Sequence, residues 1–238
     1  MGSVCGRFAS TSSVRDLASV FEADSVTVDE RGPRYNVAPT TDVLAVTAAP
    51  DSSGGSALEE VLRRELTALR WGLVPSWAKD PSVGSKMINA RAESIATKPS
   101  FRSAFAKRRC LIPVDAFYEW RREGSKRYPF AIARRDRRPM AFAGVWEIWR
   151  DRGGSPEESI RSAAIVTTSG NEVMAPIHDR MPVILEEDTW ETWLDPSSDR
   201  EELLGLLVPA RPKVIEAWPV SDLVNKVANR GAELLDPL

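Results

Sequence analysis

The chain has 238 residues, 42% hydrophobic and 28% charged, a composition that builds a packed domain and argues against disorder. One histidine, His178, and two cysteines, Cys5 and Cys110, exclude zinc fingers, multi-histidine metal centres and disulfide scaffolds, and suit a reducing, cytoplasmic compartment. The net charge of −2 hides an asymmetry: residues 1–150 carry 24 Lys and Arg against 17 Asp and Glu, whereas residues 151–238 carry 8 against 17.

In chain order, no secretory h-region stands near the start, and no apolar run approaches the roughly 18 residues of a membrane helix. Ser13–Glu22 reads as a helix capped by Ser12 or Ser13, with Val14, Leu17, Ala18 and Phe21 on one face. Val43–Thr47 and Val61–Trp71 read as strands, separated by the loop signal Pro50–Ser56. Pro99–Lys107 predicts a short helix opened by proline. Leu111–Val114, Tyr128–Ala133, Met140–Trp146, Ala163–Thr167 and Met181–Leu185 predict further strands, with a loop at Asp151–Pro156. Glu186–Trp193 and Ser198–Leu207 close the chain as helices. Many short strands with interspersed helices predict an α+β fold on a curved or barrel-like, mostly antiparallel sheet. No glycine-rich phosphate loop is present.

The densest basic stretch is 98–138, with 13 basic residues against 4 acidic ones. It fits either a polyanion partner or an ordinary solvated face. Arginine outnumbers lysine 25 to 7, which suits bidentate phosphate contacts but equally a GC-rich genome.

Four clusters carry chemical potential. Cys5-Gly6-Arg7-Phe8 offers either a buried apolar cysteine or a reactive thiol. Arg34–Thr40 (RYNVAPT) is the second. The third spans Trp71–Asp80 (WGLVPSWAKD) and Asn89–Glu93 (NARAE), followed by Cys110–Trp120 (CLIPVDAFYEW). Tryptophans in such a loop either cap a core or stack on unpaired bases. Glu119, between two aromatics, either holds a raised pKa and moves protons near neutrality or points to solvent. The fourth, Pro176–Pro182 (PIHDRMP), places the sole histidine beside Asp179 and Arg180. Cys110, starting an apolar strand, reads as structural.

In this order the motifs, with Val224–Pro237 (VNKVANRGAELLDP), closely resemble the SOS-response-associated peptidase (SRAP) family, and the resemblance runs from Cys5 to Pro237. It implies one domain over 5–238, a partner of single-stranded DNA with abasic sites, and a covalent DNA–protein crosslink. In that chemistry an N-terminal cysteine attacks the sugar aldehyde through its α-amine, and its thiol then closes a thiazolidine ring. The amine's reference pKa of about 7.7–8.0 leaves an appreciable neutral fraction at pH 7.

By matching motifs the resemblance implies Cys5 as nucleophile, Asn89 as the residue orienting it, Glu119 as acid and base, and His178 as proton-transfer residue. Arg7, Asn36, Pro39, Trp77, Arg91 and Arg180 match DNA-contacting positions, with Arg91 on a flanking phosphate and Trp77 in a base-stacking loop. It implies no metal, no organic cofactor and no membrane partner, and a monomer that meets the nucleoid through DNA. Met1-Gly2-Ser3-Val4 precede Cys5 and read as a non-native leader, Val4 standing for a GTG start. Two alternatives remain: a Cys/His thiol peptidase that removes its own leader, and a non-catalytic single-stranded DNA binder.

Overall fold

The computed structural model describes residues 5–50, 62–151, 153 and 158–238. The leader and most of the two loop signals lie outside the described residues. In chain order the elements are β1 (Phe8–Ser10), α1 (Val14–Val20), β2 (Ser25–Val26), β3 (Arg34–Val37), β4 (Asp42–Pro50), β5 (Leu62–Trp71) and β6 (Asn89–Arg91). Then follow α2 (Arg102–Lys107), β7 (Arg109–Val114), β8 (Ala116–Glu123), β9 (Lys126–Arg134), β10 (Met140–Trp149) and β11 (Ile160–Ser169). The last are β12 (Arg180–Pro182), β13 (Ile184–Leu185), α3 (Trp190–Leu194), α4 (Arg200–Gly205) and β14 (Ile215–Pro219).

The α+β class holds, with two mostly antiparallel sheets. The larger runs β12-β11-β10-β7-β4-β5-β2. Within it β11 returns to β5 in parallel, Ser162 opposite Arg70 and Ala163 opposite Trp71, so the sheet curls into a ring. The smaller runs β14-β9-β8-β1-β3.

Side-chain alternation sorts the core into two layers. On β4, Val43 and Ala45 face a cluster with Phe8, Phe117 and Ile132 of the smaller sheet; Leu44 and Val46 face the helices. There α1 packs Val14 and Leu17, α2 packs Phe105, and α3 packs Trp190 and Trp193. Strand β7 is covered on both faces, so all six of its residues are buried, and after Arg109 it reads as a continuous apolar run, Cys110 to Val114. The α1 cap is as the sequence suggests: the Ser13 hydroxyl accepts from the Asp16 N–H at 3.0 Å.

Met181–Leu185, expected as one strand, is two. Met181 and Pro182 pair with β11, whereas Ile184 and Leu185 pair with β10, the chain changing partners at Val183. The helix expected from Pro99 begins at Arg102, after a turn. Among the described residues no helix is long and apolar enough to cross a membrane.

Gly144 on β10 is a packing requirement. A Cβ there would sit 2.7 Å from the Cys110 sulfur and 3.0 Å from Ile112. Gly144→Ala is therefore expected to destabilise the fold by about 1–3 kcal/mol through overpacking. Urea denaturation checks this; an unchanged midpoint would show that β7 yields freely.

Candidate active site

Cys5 precedes β1 in the left-handed region, φ 47°, and is fully buried. Such a conformation in a non-glycine residue costs of order 1–3 kcal/mol and is held only by its surroundings. Here the Cys5 N–H donates to Glu119 Oε1 at 2.5 Å. The pairing of β1 with β8, Phe8 opposite Phe117 and Ala9 opposite Ala116, sets that approach.

Glu119 is 2% exposed. Burial pushes its carboxyl up to about 7, and the field of Asp179 adds to this; the N–H groups of Cys5 and Trp120 oppose it. Burial and the neighbouring Glu119 also push the Cys5 thiol well up, away from thiolate.

His178 ends a turn that Asn171 organises by accepting the Val173 and Met174 N–H groups. Its Nδ1 accepts from the Arg180 N–H at 3.0 Å and lies 2.9 Å from Asp179 Oδ1. The two contacts need opposite states of one nitrogen. Burial lowers the histidine pKa, opposed by Asp179, while Arg122 and Arg180 reinforce the lowering. The neutral ring therefore keeps Arg180 as donor, and Nε2 carries the proton. Removing Asp179 withdraws the effect that favours imidazolium. Asp179→Ala is expected to lower the His178 titration midpoint, read from its ring proton resonances; an unmoved midpoint would show that the carboxylate does not act on the ring.

Glu119 and His178 line one cleft of about 410 Å³, with Arg7, Trp120, Arg122 and Arg127 among its walls. Arg122 and Arg127 face each other across the β8–β9 hairpin. Among the described residues neither has a carboxylate within 4 Å. Like charges directly opposite are unfavourable without an anion between them. Arg7 donates to Asn36 Oδ1 (2.8 Å) and to the Val224 carbonyl (2.9 Å), and lies over the Trp120 ring. Trp120 Nε1 in turn donates to Asn225 Oδ1 at 2.7 Å.

The structure thus gathers Cys5, Glu119, His178 and Arg7. The other sequence candidates lie around them. Asn36 is buried, its amide donating to the carbonyls of Val224, Lys226 and Asn229. Arg180 is held by both carboxylate oxygens of Glu93 and by the Thr167 carbonyl. Asn89 and Arg91 lie on β6 beside β11, Asn89 half-buried and Arg91 exposed. Pro39 is half-buried after β3, and Trp77 is 57% exposed in the loop after β5.

Arg122, Arg127, Trp120 and Asn225 line the cleft although the sequence, which placed them in motifs or in the basic stretch, did not mark them as site residues. The available signal was the run EWRREGSKRY, a strand–turn–strand pattern with basic residues flanking Gly124, which has φ 61°. The basic stretch 98–138 is not one face. Arg135 and Arg137 pair with Glu216, Arg138 with Glu187, and Arg134 with Asp136. Arg109 is buried, donating to the carbonyls of Phe105, Ala106, Trp193 and Asp195. Arg135, Arg137 and Arg138 thus meet carboxylates of the acidic part of the chain.

A small α+β domain whose cysteine nitrogen meets a protonatable carboxylate beside an arginine- and tryptophan-walled cleft is built for acid–base chemistry on an anionic ligand. The chain belongs to the SOS response associated peptidase (SRAP) family, whose model matches residues 4–227. It is 42% identical to the abasic site processing protein YoaM of Bacillus subtilis over 98% of both chains. It is 33% identical to the abasic site processing protein YedK of Escherichia coli over 99% of this chain and 100% of that one. A crystal structure of a Bacteroides thetaiotaomicron protein, 25% identical, superposes with a TM-score of 0.82 over 98% of this chain and 100% of that one.

Proposed function

We propose that the chain processes abasic sites in single-stranded DNA by joining them covalently to Cys5. The observation that carries this reading is the Cys5 nitrogen 2.5 Å from a buried carboxylate whose pKa stands near 7. Its relatives YoaM and YedK, abasic site processing proteins, supply the lesion.

The reaction needs the Cys5 nitrogen as an amine, so the active form lacks Met1-Gly2-Ser3-Val4. In the buried site an ammonium facing a carboxylate is poorly solvated, which favours proton transfer to Glu119 and a neutral amine. The amine nitrogen then attacks C1′ of the ring-opened sugar. Glu119 returns its proton as the C1′ hydroxyl leaves as water, giving a protonated imine. The thiol sulfur adds to C1′ and its proton goes to Glu119, closing the thiazolidine with its N–H. His178, with its proton on Nε2, donates to the sugar oxygen during ring opening. Asn89 orients the cysteine and sugar. The arginines and Trp77 hold phosphates and bases on either side.

A thiol peptidase needs a depressed thiol pKa, and the raised Cys5 pKa opposes it. The test is a denaturing gel of protein beginning at Cys5 with a single strand carrying one abasic site. A band that survives denaturation is expected; salt-sensitive binding with no covalent band would sink the crosslinking reading and leave a binder.

A further inference from the structure

A second opening lies behind Asn36. A cavity of about 230 Å³ is lined by Tyr35, Asn36, Arg34, Val227 and Arg230, between the start of β3 and the C-terminal segment. The Arg34 guanidinium is fixed there, donating to the Asp42 carbonyl at 2.6 Å and Thr41 Oγ1 at 3.1 Å. Arg31 lines an adjoining narrow cleft together with Arg34. Burial and then the field of Arg31 lower the Arg34 pKa; Asp42 opposes them, and Arg230, felt less than Asp42, adds to the lowering. Among the described residues none of the three arginines has a carboxylate within 4 Å. Three like charges around one opening, with no carboxylate ion-paired to any of them and only the field of Asp42 against them, favour an anion, and guanidinium groups suit phosphate oxygens.

We propose that Arg31, Arg34 and Arg230 seat one phosphodiester of the DNA strand beside the lesion cleft. The two openings share a wall, since Asn36 lines this cavity and bonds Arg7, which lines the other. A strand leaving the lesion on the side of the C-terminal segment therefore meets this cluster. The inference rests on the proposed binding of single-stranded DNA, but not on the crosslinking step.

The test uses the Arg31→Gln/Arg230→Gln double variant; Arg34 is left intact because it ties β3 to β4. Binding of an undamaged oligothymidylate is measured by fluorescence anisotropy against salt concentration. Losing one phosphate contact lowers the slope of log K against log salt by about 0.7 for a single strand. A drop of that size with an unchanged circular dichroism spectrum is the expected result. Equal slopes, or no binding of the strand by the unaltered protein, would overturn the proposal. Competition by inorganic phosphate beyond that of chloride at matched ionic strength would assign the pocket to a free anion and overturn it as well. A lowered slope without any covalent product on abasic DNA would keep this subsite and remove the crosslinking reaction instead.

Discussion

Protein beginning at Cys5 is expected to form a denaturation-resistant adduct with abasic single-stranded DNA, and its Cys5→Ser form a different product. The serine variant keeps the α-amine, so it still makes an imine. It has no thiol to close the ring, and its adduct hydrolyses unless borohydride reduces the imine to a secondary amine. The chain carrying Val4 has an amide at the same nitrogen, whose lone pair is delocalised into the carbonyl. It is expected to give neither product, a loss of at least about 100-fold, as for removal of a covalent nucleophile. Gel bands with and without borohydride separate the three cases. A stable adduct from the Val4-bearing chain would show that another residue is the nucleophile.

The second large effect concerns Glu119, where activity and stability are expected to move in opposite directions. Glu119→Gln keeps an oxygen to accept the Cys5 N–H but exchanges no proton. A crosslinking rate lower by about 10²–10⁴ is expected, the usual worth of a positioned acid and base. Stability follows from the pKa, which rises from 4.5 to about 7 on folding. The folded protein binds this proton more tightly than the unfolded chain. That contribution is complete below pH 4.5 and is lost as pH rises through 7. The difference corresponds to about 3 kcal/mol. The stability of Glu119→Gln relative to the parent should therefore increase between pH 4.5 and 8, measured by denaturant unfolding of the Val4-bearing chain. A pH-independent difference would show that Glu119 titrates normally.

The ring strands were legible because burial on one or both faces writes alternating or continuous apolar runs, as in β4, β7, β10 and β11. The smaller sheet was legible only in β9, expected over Tyr128–Ala133. RYNV in β3 and AFYEWRRE in β8, like NAR in β6 of the larger sheet, carry polar residues where a strand pattern needs apolar ones, because those side chains serve the cleft or its supports. Clusters that read as chemistry rather than structure were therefore strands as well. Glu119 was legible as a carboxylate between aromatics; that its partner is the Cys5 backbone nitrogen was not, since the contact spans 114 positions. Charge was the poorest guide. Among the described residues six arginines of the basic stretch are matched by carboxylates and a seventh, Arg109, by carbonyls, and only the fold reveals which remain unmatched.

Arg7 and Asn36 both hold the Val224 carbonyl, and 217 positions separate Arg7 from Val224. During synthesis the proposed nucleophile, Cys5, thus leaves the ribosome 114 residues ahead of its carboxylate partner and long before the Val224 segment that completes its cleft. Through that interval it can meet any small aldehyde or oxidant in its surroundings. A nascent chain stalled before Val224 would present the proposed nucleophile in an incomplete cleft, which makes completion of the far end a condition for selective reactivity at the near one.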